Sequence, residues 1–373
     1  MAKKVAQLVT LSEMGGAQKH VILLSRELKN QGYDVTVFTS EGGKLISKVE
    51  ECGIKVELVP DMVREINPLK DIKAVMYLYK LFKQEKFDIV HCHSSKAGIL
   101  GRTAAKLAGI KRIIYTAHGF VFNEPMSSLK RFIYVNIERM GSVFGSKTIA
   151  VSKRDCDSAV EKKVTSEKKL VYIPNAIPEI DKDLLGNPSE LKAELNIKED
   201  EFVLGTISNF YDTKGHVYLI EAVKKLYGEG YKFKTIFAGA GPKMDEMMEL
   251  SKSYEHIVFL GYREDNYQIM NILDLFVLPS IKEGMPYVIL EAMSLGKPVL
   301  CTKVGALTDM ISDGENGYIV EPGDSNKIYD KIKWIIENKS KIESVGGLGK
   351  MYVDKNFSMK AFTEAVIKVY EEE

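Results

Sequence analysis

The strongest constraint on the fold of this chain is its alternation of short, β-branched apolar runs with longer amphipathic stretches. This alternation is typical of a parallel β-sheet that is covered by helices. In the first half, the strand-like runs are residues 5–11, 34–38, 54–58, 89–91, 113–116 and 148–151. A second series comprises residues 202–207, 234–238, 257–260, 275–278, 298–301 and 317–320. The sequence therefore predicts an α/β protein with two successive units of similar architecture.

Two domains are expected because 373 residues exceed what one hydrophobic core normally organises. The alternation breaks at residues 174–178, Pro-Asn-Ala-Ile-Pro, and the acidic stretch that follows to Pro188 has the composition of a linker. We predict Rossmann-like domains at residues 1–178 and 179–356, followed by an amphipathic C-terminal helix at residues 357–373. Ligands of α/β sheets bind outside the carboxyl ends of the strands, so the expected site is a cleft between the two domains.

Composition excludes several classes of protein. Apolar residues make up 45% and charged residues 28% of the chain, as in soluble globular proteins. The chain has no run near the roughly 18 apolar residues of a membrane span and no secretory signal, so we expect a cytoplasmic protein. The four cysteines are widely separated and form no C-x-x-C pair, which argues against a disulfide framework and a structural zinc site.

Charge is distributed unevenly along the chain. Residues 1–175 carry 29 Lys and Arg against 18 Asp and Glu, whereas residues 176–373 carry 23 against 33. This asymmetry indicates that the first half faces something anionic, such as a lipid surface or a polyphosphorylated acceptor. Nucleic acid is disfavoured because no helix-turn-helix, zinc-finger or RNP-type signature accompanies the charge. A basic face without a partner is the structural alternative.

Two glutamates, Glu283 and Glu291, lie eight residues apart, and Gly284 directly follows the first. The apolar residues after Pro286 favour a helix that begins near this proline, with Glu283 in the preceding loop and Glu291 about one and a half turns inside. The helix N-terminus between them can bind an anion through its N–H groups. The carboxylates can accept hydrogen bonds from sugar and ribose hydroxyls. A buried helix with two solvated glutamates is the alternative.

Three turns at strand ends could bind phosphate. Gly15-Gly16 follows the first strand and opens a helix, although neither a G-x-G-x-x-G motif nor a P-loop motif is present. Lys214 follows the first strand of the second unit, where its charge could stabilise a diphosphate leaving group. Gly239-Ala240-Gly241 forms a second ligand-permissive turn after the next strand. The structural alternatives are an ordinary tight turn for the glycines and a solvated surface position for Lys214.

His118 follows a strand of the basic first half and precedes a glycine, which favours contact with substrate. His91 and His93 have the i, i+2 spacing of one strand face and flank Cys92. No third ligand lies nearby, so we do not expect a metal site.

Together these elements resemble the retaining GT-B glycosyltransferases of family 4, over nearly the whole chain. The matching elements are Gly15-Gly16, His118-Gly119, Pro174-Asn175, Lys214-Gly215, Gly239-Ala240-Gly241-Pro242, Glu283 to Glu291 as the E-x7-E element, Gly296-Lys297-Pro298-Val299 and Gly314-Glu315-Asn316-Gly317-Tyr318. The segments His91-Cys92-His93-Ser94 and Thr116-Ala117-His118-Gly119-Phe120 are most similar to members that build bacterial capsule, exopolysaccharide and lipopolysaccharide. The resemblance implies two Rossmann-like domains facing each other across a cleft.

The resemblance also implies roles for individual residues. Lys214 would contact the donor diphosphate, Glu291 the ribose and Glu283 the transferred sugar, while Gly16 presents its amide to the diphosphate and His118 lies beside the reacting sugar. The catalytic set is thus His118, Lys214 and Glu283, and the last helix returns to the N-terminal domain. The implied donor-binding set is Gly15, Gly16, Asn209, Lys214, Gly239, Gly241, Tyr262, Glu283, Gly284, Met285, Pro286, Tyr287, Val288 and Glu291.

Two positions depart from the family pattern. Asn209 stands where the family usually has an arginine, so one partner of the diphosphate is missing or comes from elsewhere. Residues 305–309, Gly-Ala-Leu-Thr-Asp, replace the family's usual glutamate after its glycine pair.

The expected activity is retaining transfer of a sugar from a nucleotide donor, UDP-linked in our hypothesis, to a hydroxyl of a membrane-associated, lipid-linked saccharide. No carboxylate pair at glycosidase spacing is needed, because the leaving diphosphate can take the acceptor proton once its charge is stabilised. No cofactor or metal is expected. Two alternatives remain open at this stage: a nucleotide-sugar epimerase, and a non-catalytic scaffold that binds nucleotide in a polysaccharide assembly complex.

Residues 127–135 suggest a site of docking at the inner face of the membrane. Lys130 and Arg131 adjoin Leu129, Phe132 and Ile133, the mixture expected of a helix that lies in a lipid interface. In the alternative interpretation, the apolar residues form a core-facing stripe and the basic residues are solvated.

Overall fold

The computed structural model describes residues 2–63 and 65–372 and contains two compact units. The first unit comprises Met1–Asn175 with Lys360–Glu373, and the second comprises Ala176–Met359. The boundary between the units thus falls between residues 175 and 176, whereas it was predicted between residues 178 and 179.

The described part of the first unit is a parallel sheet with helices between its strands. The strands are β1 (Lys4–Val9), β2 (Asp34–Thr39), β3 (Lys55–Leu58), β4 (Ile89–His93), β5 (Arg112–Ala117), β6 (Lys147–Ala150) and β7 (Leu170–Tyr172). The helices are α1 (Gly16–Asn30), α2 (Leu45–Glu51), α3 (Pro68–Glu85), α4 (Ser95–Leu107), α5 (Ser128–Phe144) and α6 (Lys153–Glu161). The strand order β3-β2-β1-β4-β5-β6-β7 reverses between β1 and β4, and this switch point is where ligands bind in such sheets.

The second unit repeats this architecture. Its strands are β8 (Phe202–Ile207), β9 (Phe233–Ala238), β10 (Ile257–Gly261), β11 (Leu275–Leu278), β12 (Val299–Thr302) and β13 (Tyr318–Val320). Its helices are α7 (Pro188–Glu194), α8 (His216–Gly228), α9 (Met244–Ser251), α10 (Asn266–Ile272), α11 (Tyr287–Ser294), α12 (Leu307–Met310), α13 (Ser325–Glu337) and α14 (Lys339–Asn356). The order β10-β9-β8-β11-β12-β13 puts the switch point between β8 and β11.

The terminal helix α15 (Met359–Glu371) starts two residues after the predicted position 357, and from Lys360 onward it belongs to the first unit. Its Tyr370 is buried and forms hydrogen bonds with Gln7 of β1 at 2.9 Å and with His91 of β4 at 2.7 Å. These bonds tie α15 to the two central strands of the sheet.

Each predicted strand coincides with an observed one, with shifts of up to two residues at the ends. β4 continues beyond the predicted end at His91 to His93, because Cys92 and His93 are as fully buried as the residues before them. β7 was not predicted. It has only three residues and lies at the sheet edge, and none of the three is fully buried, so it lacks the apolar run that marks the other strands.

A charged cluster is buried in the first unit. The Arg102 guanidinium on α4 donates to Glu138 Oε2 on α5 at 3.1 Å, and Tyr115 donates to Glu138 Oε1 at 3.2 Å. Gly141 leaves room for this arrangement, since a Cβ there would lie 2.2 Å from an Arg102 nitrogen. Because each charge has a partner, α4, α5 and β5 can be joined here without an isolated ion.

Helix α5 presents its apolar stripe to solvent. Leu129 is 71% exposed, Phe132 65%, Met140 63% and Val143 72%, and their spacing puts them on one helix face. The core-facing alternative for this segment is therefore wrong. Arg131 does not belong to the exposed face, because its guanidinium donates to the carbonyls of Phe122 and Glu124. No helix of the described residues is long and apolar enough to cross a bilayer.

Candidate functional site

The second unit brings Lys214 and Glu283 together at its switch point. Lys214 ends a short 3-10 helix after β8, and Glu283 lies in the loop after β11. Lys214 Nζ lies 2.7 Å from Glu283 Oε1, and the Ser280 hydroxyl donates to the same oxygen at 2.6 Å. The Lys214 side chain is 24% exposed and that of Glu283 is 9% exposed. A cation and a carboxylate are thus held in contact at the edge where a ligand is expected.

Backbone contacts fix the position of Lys214. Gly215 caps α8 with φ +66°, in the left-handed region that favours glycine. A Cβ at Gly215 would also lie 2.2 Å from the carbonyl oxygen of Pro279. The Ile281 amide donates to Thr213 O at 2.8 Å and joins the same two loops. The loops after β8 and β11 therefore form one rigid piece, which positions the lysine against the glutamate.

Glu291 lies inside α11, as predicted, and is 8% exposed. The Tyr267 hydroxyl of α10 donates to Glu291 Oε1 at 3.1 Å. Pro286 does not stand in the first helical turn. It is the N-cap, with φ −74° and ψ 122°, and its side chain makes no capping hydrogen bond. The N-terminus of a helix, with its amides and positive dipole end, is suited to an anionic ligand.

The other predicted donor residues of the second unit surround these groups in two sets. Gly284, Met285, Pro286 and Tyr287 are buried at the start of α11, and Val288 is half-buried. Gly239 and Gly241 follow β9, and the Ala240 carbonyl accepts the Phe210 amide at 2.9 Å, next to Asn209. The Gly239 amide donates to Gly261 O at 2.7 Å, beside Tyr262, whose side chain is 46% exposed.

The loop at residues 305–309, which departs from the family pattern, packs directly on the E-x7-E element. The Ala306 amide donates to Gly284 O at 2.7 Å. Gly305 has φ +53°, and a Cβ there would lie 2.3 Å from the carbonyl oxygens of both Glu283 and Gly284. This loop therefore sets the backbone of Glu283 even though it contributes no glutamate of its own.

His216 is a neighbour of Lys214 that the sequence analysis did not single out. Its ring stacks on Phe210 at 4.2 Å, and its Nε2 lies 2.9 Å from Ser208 Oγ. Burial, followed by the charge of Lys214, lowers the pKa of His216 to about 3. His216 is therefore neutral at neutral pH and holds the loop between β8 and Lys214.

In the first unit, Gly15 and Gly16 open α1 at the switch point, as predicted. Gly15 is the N-cap in extended conformation and makes no side-chain capping bond. A Cβ at Gly16 would meet nothing within 4 Å, so the space before this helix end is open to a ligand. Lys19 lies in the first turn, and burial lowers its pKa to about 8. Lys19 was not among the predicted site residues, although its position one turn beyond the glycine pair was a usable signal.

His118 follows β5 and belongs to a cluster of histidines. Its Nε2 lies 3.3 Å from His93 Nδ1, and His93 Nε2–H donates to Gln7 Oε1 at 2.6 Å. His20, on α1, donates through Nδ1–H to Asn175 Oδ1 at 3.0 Å. One ring nitrogen from each of His20, His93 and His118 lies within 4.8 Å of the other two. The expectation that His93 has no potential third ligand nearby is therefore wrong.

His91 is directed elsewhere. Its Nδ1 lies 2.7 Å from the Tyr370 hydroxyl and its Nε2 lies 2.7 Å from Thr116 Oγ1. Burial lowers the pKa of His20 to about 4, against the opposing effect of its Asn175 hydrogen bond. Burial, followed by neighbouring histidines, holds the pKa values of His91, His93 and His118 well below the usual range. All four imidazoles are therefore neutral at pH 7.

Two family profiles match the chain in succession. "Glycosyltransferase Family 4" matches residues 14–179, and "Glycosyl transferases group 1" matches residues 188–350. The chain is 29% identical over 347 residues to UDP-Gal:alpha-D-GlcNAc-diphosphoundecaprenol alpha-1,3-galactosyltransferase of Escherichia coli, covering 90% of this chain and 88% of the relative. It is 27% identical to the capsular polysaccharide biosynthesis glycosyltransferase CapM of Staphylococcus aureus, covering 99% and 97% of the two chains.

Among solved structures, Anabaena HepE in complex with UDP and glucose matches with a TM-score of 0.86 and 21% identity over 100% of both chains. The architecture of the two units and these matches define a glycosyltransferase of the GT-B fold. The chain belongs to glycosyltransferase family 4.

Proposed function

We propose that this glycosyltransferase moves a sugar from a UDP-linked donor to a hydroxyl of a lipid-linked saccharide in the synthesis of a cell-surface polysaccharide. The names of the Escherichia coli and Staphylococcus aureus relatives support the donor, the lipid diphosphate acceptor and the pathway class. The observation that carries the proposal is the contact of 2.7 Å between Lys214 and Glu283 beside the N-terminus of α11. It offers a cation for a diphosphate and a carboxylate for sugar hydroxyls.

In the proposed reaction, the bond between the anomeric carbon and the diphosphate oxygen breaks while the acceptor oxygen bonds to that carbon on the same face. Attack on the same face retains the configuration, and because the acceptor proton passes to the departing diphosphate, no protein base is required. Lys214 and the amides of α11 stabilise the charge that develops on the leaving group. In the proposal no metal takes part, and these groups stabilise the charge of the diphosphate.

The carboxylates would bind hydroxyl groups. Glu283, which accepts from Lys214 and Ser280, would also accept hydrogen bonds from the transferred sugar. Glu291, held by Tyr267, would accept from the ribose. His118, neutral at pH 7, would lie beside the reacting sugar and could exchange hydrogen bonds with its hydroxyls without adding charge.

A direct test is to incubate the protein with a panel of radiolabelled nucleotide sugars and a bacterial lipid extract. Label that moves into the lipid phase, with unchanged anomeric configuration by NMR and unchanged rate in excess chelator, supports the proposal. Recovery of an epimerised nucleotide sugar would identify an epimerase instead. UDP binding without either reaction would favour a scaffold role.

We also propose that α5 docks on an anionic membrane surface, where a lipid-linked acceptor would be found. The exposed residues Leu129, Phe132, Met140 and Val143 form the apolar face, and the exposed Lys130 flanks it. Each basic residue near such a surface contributes about 1 kcal/mol, so binding should be reversible and should weaken as salt rises.

Liposome co-sedimentation at low and high salt tests this docking. The Leu129→Ser/Phe132→Ser double variant should lose binding to anionic vesicles, and Lys130→Glu should weaken it. Arg131 is a poor choice for this experiment, because replacing it breaks its bonds to the loop before α5. Met351→Ser is the matched control, since Met351 is 68% exposed in the second unit. Equal sedimentation of all variants would remove α5 from the membrane-binding surface.

A further inference from the structure

Three histidines from three separate elements of the first unit converge on one point. His20 comes from α1, His93 from the end of β4, and His118 from the loop after β5. The His20 ring centroid lies 5.1 Å from that of His93 and 4.6 Å from that of His118. The switch point between β1 and β4 brings these elements together, because the carboxyl ends of parallel strands share one sheet edge.

The distances among these rings are close to those of a metal site. Zn–N bonds of about 2.0–2.1 Å in a tetrahedral site place neighbouring nitrogens about 3.3–3.4 Å apart. His93 Nδ1 and His118 Nε2 are already 3.3 Å apart. All three ligand nitrogens lie within 4.8 Å of one another, so a displacement of the His20 nitrogen by at most about 1.5 Å brings it to the spacing of a tetrahedral site.

In two of these rings, the nitrogen that is not a proposed ligand is hydrogen-bonded, as is usual in metal-bound histidines. A histidine ligand commonly donates its other N–H to a carbonyl or carboxylate, which fixes its tautomer and orientation. His93 Nε2–H donates to Gln7 Oε1 at 2.6 Å, and His20 Nδ1–H donates to Asn175 Oδ1 at 3.0 Å. Both bonds leave the lone pair of the neutral ring on the opposite nitrogen. For His93, that nitrogen faces His118.

The kind of ligand follows from the donor atoms. Three neutral imidazoles without a carboxylate suit zinc and the neighbouring first-row ions, whereas magnesium and calcium require oxygen donors. Cys92 does not belong to the set, because its Sγ faces α4, where a Cβ on Gly101 would lie 2.6 Å from it. Three histidines leave the fourth zinc position open, and the half-buried His118 provides the route of entry.

We propose that His20, His93 and His118 form a binding site for a divalent first-row transition metal such as Zn²⁺, and that its occupancy inhibits sugar transfer. Binding replaces the proton between His118 Nε2 and His93 Nδ1 with the metal, and the His118 proton moves to Nδ1. His118 Nδ1 then donates a hydrogen bond where it previously accepted one, which removes an acceptor from the reacting sugar. The inhibition rests on the proposed function, whereas the binding does not. The metal is thus an inhibitor and not a cofactor of the reaction.

Binding is measured on untagged protein that has been stripped with a chelator. Co²⁺ should give the visible absorption of a tetrahedral nitrogen site, and Zn²⁺ should displace it one to one. A sulfur charge-transfer band in the ultraviolet would instead identify a cysteine site and overturn the proposal. His20→Phe and His93→Gln should each weaken Zn²⁺ binding by about 100-fold or more, since even loss of a supporting group typically costs about 10–100-fold.

Two further variants separate ligand loss from misfolding. Asn175→Ala keeps every proposed ligand and removes only the partner of His20, so it should weaken Zn²⁺ binding by about 10–100-fold. His256→Gln removes a histidine of the second unit that stacks on Tyr227, and it should bind Zn²⁺ like the wild type. Variants are compared only where thermal unfolding shows a folded protein. Wild-type affinity in both His20→Phe and Asn175→Ala would overturn the site.

The second experiment measures sugar transfer at increasing Zn²⁺, as the ratio of rates with and without metal for each variant. Wild-type activity should fall at least tenfold at saturation and recover with chelator, while His20→Phe should show little inhibition at the same Zn²⁺ concentration. Zn²⁺ binding without inhibition would retain the site and overturn the inhibitory role. Absence of transfer under all conditions would instead contradict the proposed function and leave the Co²⁺ result intact.

Discussion

Replacing Lys214 by methionine is the sharpest test of the proposed chemistry. Methionine keeps the unbranched side chain but removes the charge that lies 2.7 Å from Glu283. Loss of one preorganised group that stabilises a developing anion typically costs about 3–4 kcal/mol, or about 100- to 1000-fold in kcat. UDP affinity should fall less, because the charge on the leaving diphosphate is greatest after the bond to the sugar has broken.

The effect on folding should be much smaller. Glu283 retains the Ser280 hydroxyl at 2.6 Å when Lys214 is removed, so its carboxylate is not left without a partner. A hydrogen bond to a charged group is worth about 1.5–3 kcal/mol, and the partial exposure of Lys214 favours the lower end of that range. Urea unfolding should therefore show a loss near 1.5 kcal/mol, which leaves a typical domain folded.

A double-mutant cycle separates two roles of the lysine. If Lys214 only positions Glu283, then Lys214→Met, Glu283→Gln and the double variant should have equal kcat values. If it contacts the diphosphate, the double variant should be slower than either single variant, and Lys214→Arg should recover part of the rate. Transfer is followed with radiolabelled donor at saturating concentrations. A Lys214→Met enzyme with kcat within about threefold of the wild type would refute the diphosphate assignment.

Three other perturbations address separate parts of the molecule. Glu291→Ala should weaken UDP binding at least tenfold in calorimetry, because a charged acceptor for the ribose is lost. Tyr267→Phe leaves the carboxylate in place and should have a smaller effect. Glu138→Ala should lower the free energy of unfolding by about 3–5 kcal/mol, because Arg102 is left buried without its counter-charge; an unchanged urea midpoint would contradict this. The pKa of His20 falls from 6.5 unfolded to about 4 folded, so the unfolded chain binds the extra proton and His20 should lower stability by up to roughly 3 kcal/mol as pH drops from 6.5 towards 4. His20→Phe should remove this contribution, and the part that comes from the other buried histidines should remain.

Much of the fold could be predicted from local signals, because buried parallel strands are nearly continuous apolar runs. Val21, Leu24 and Leu28 likewise identify the buried face of α1, and all three are fully buried. The strand β7 could not be found in this way, since an edge strand with half-buried residues has no such run. Whether a short segment pairs at a sheet edge depends on the neighbouring strand, which the segment itself does not encode.

The candidate site likewise contains some residues that could be predicted from the sequence and others that could not. Lys214, Glu283 and His118 lie in the segments that follow β8, β11 and β5, where ligands of such sheets bind, and the spacing of Glu283 from Glu291 adds a second signal. Ser280 and Tyr267, which hold the two carboxylates, were missed because common polar residues at a loop and a helix carry no distinctive spacing. His20 was also missed, although its position four residues before Leu24 places it on the buried face of α1, where a polar ring needs partners.

The contacts of Gly305 explain why motif spacing alone does not define this site. Its Cα approaches the carbonyls of Glu283 and Gly284 so closely that no side chain fits, and the Ala306 amide completes the contact. The loop after β11 packs on the loop after β8 in the same manner, because Gly215 lies against the carbonyl of Pro279. Each loop thus takes its shape from the backbone of the next one. Lys214 and Glu283 are therefore positioned by three loops acting together, and a change in residues 305–309 can move Glu283 without touching the E-x7-E element itself.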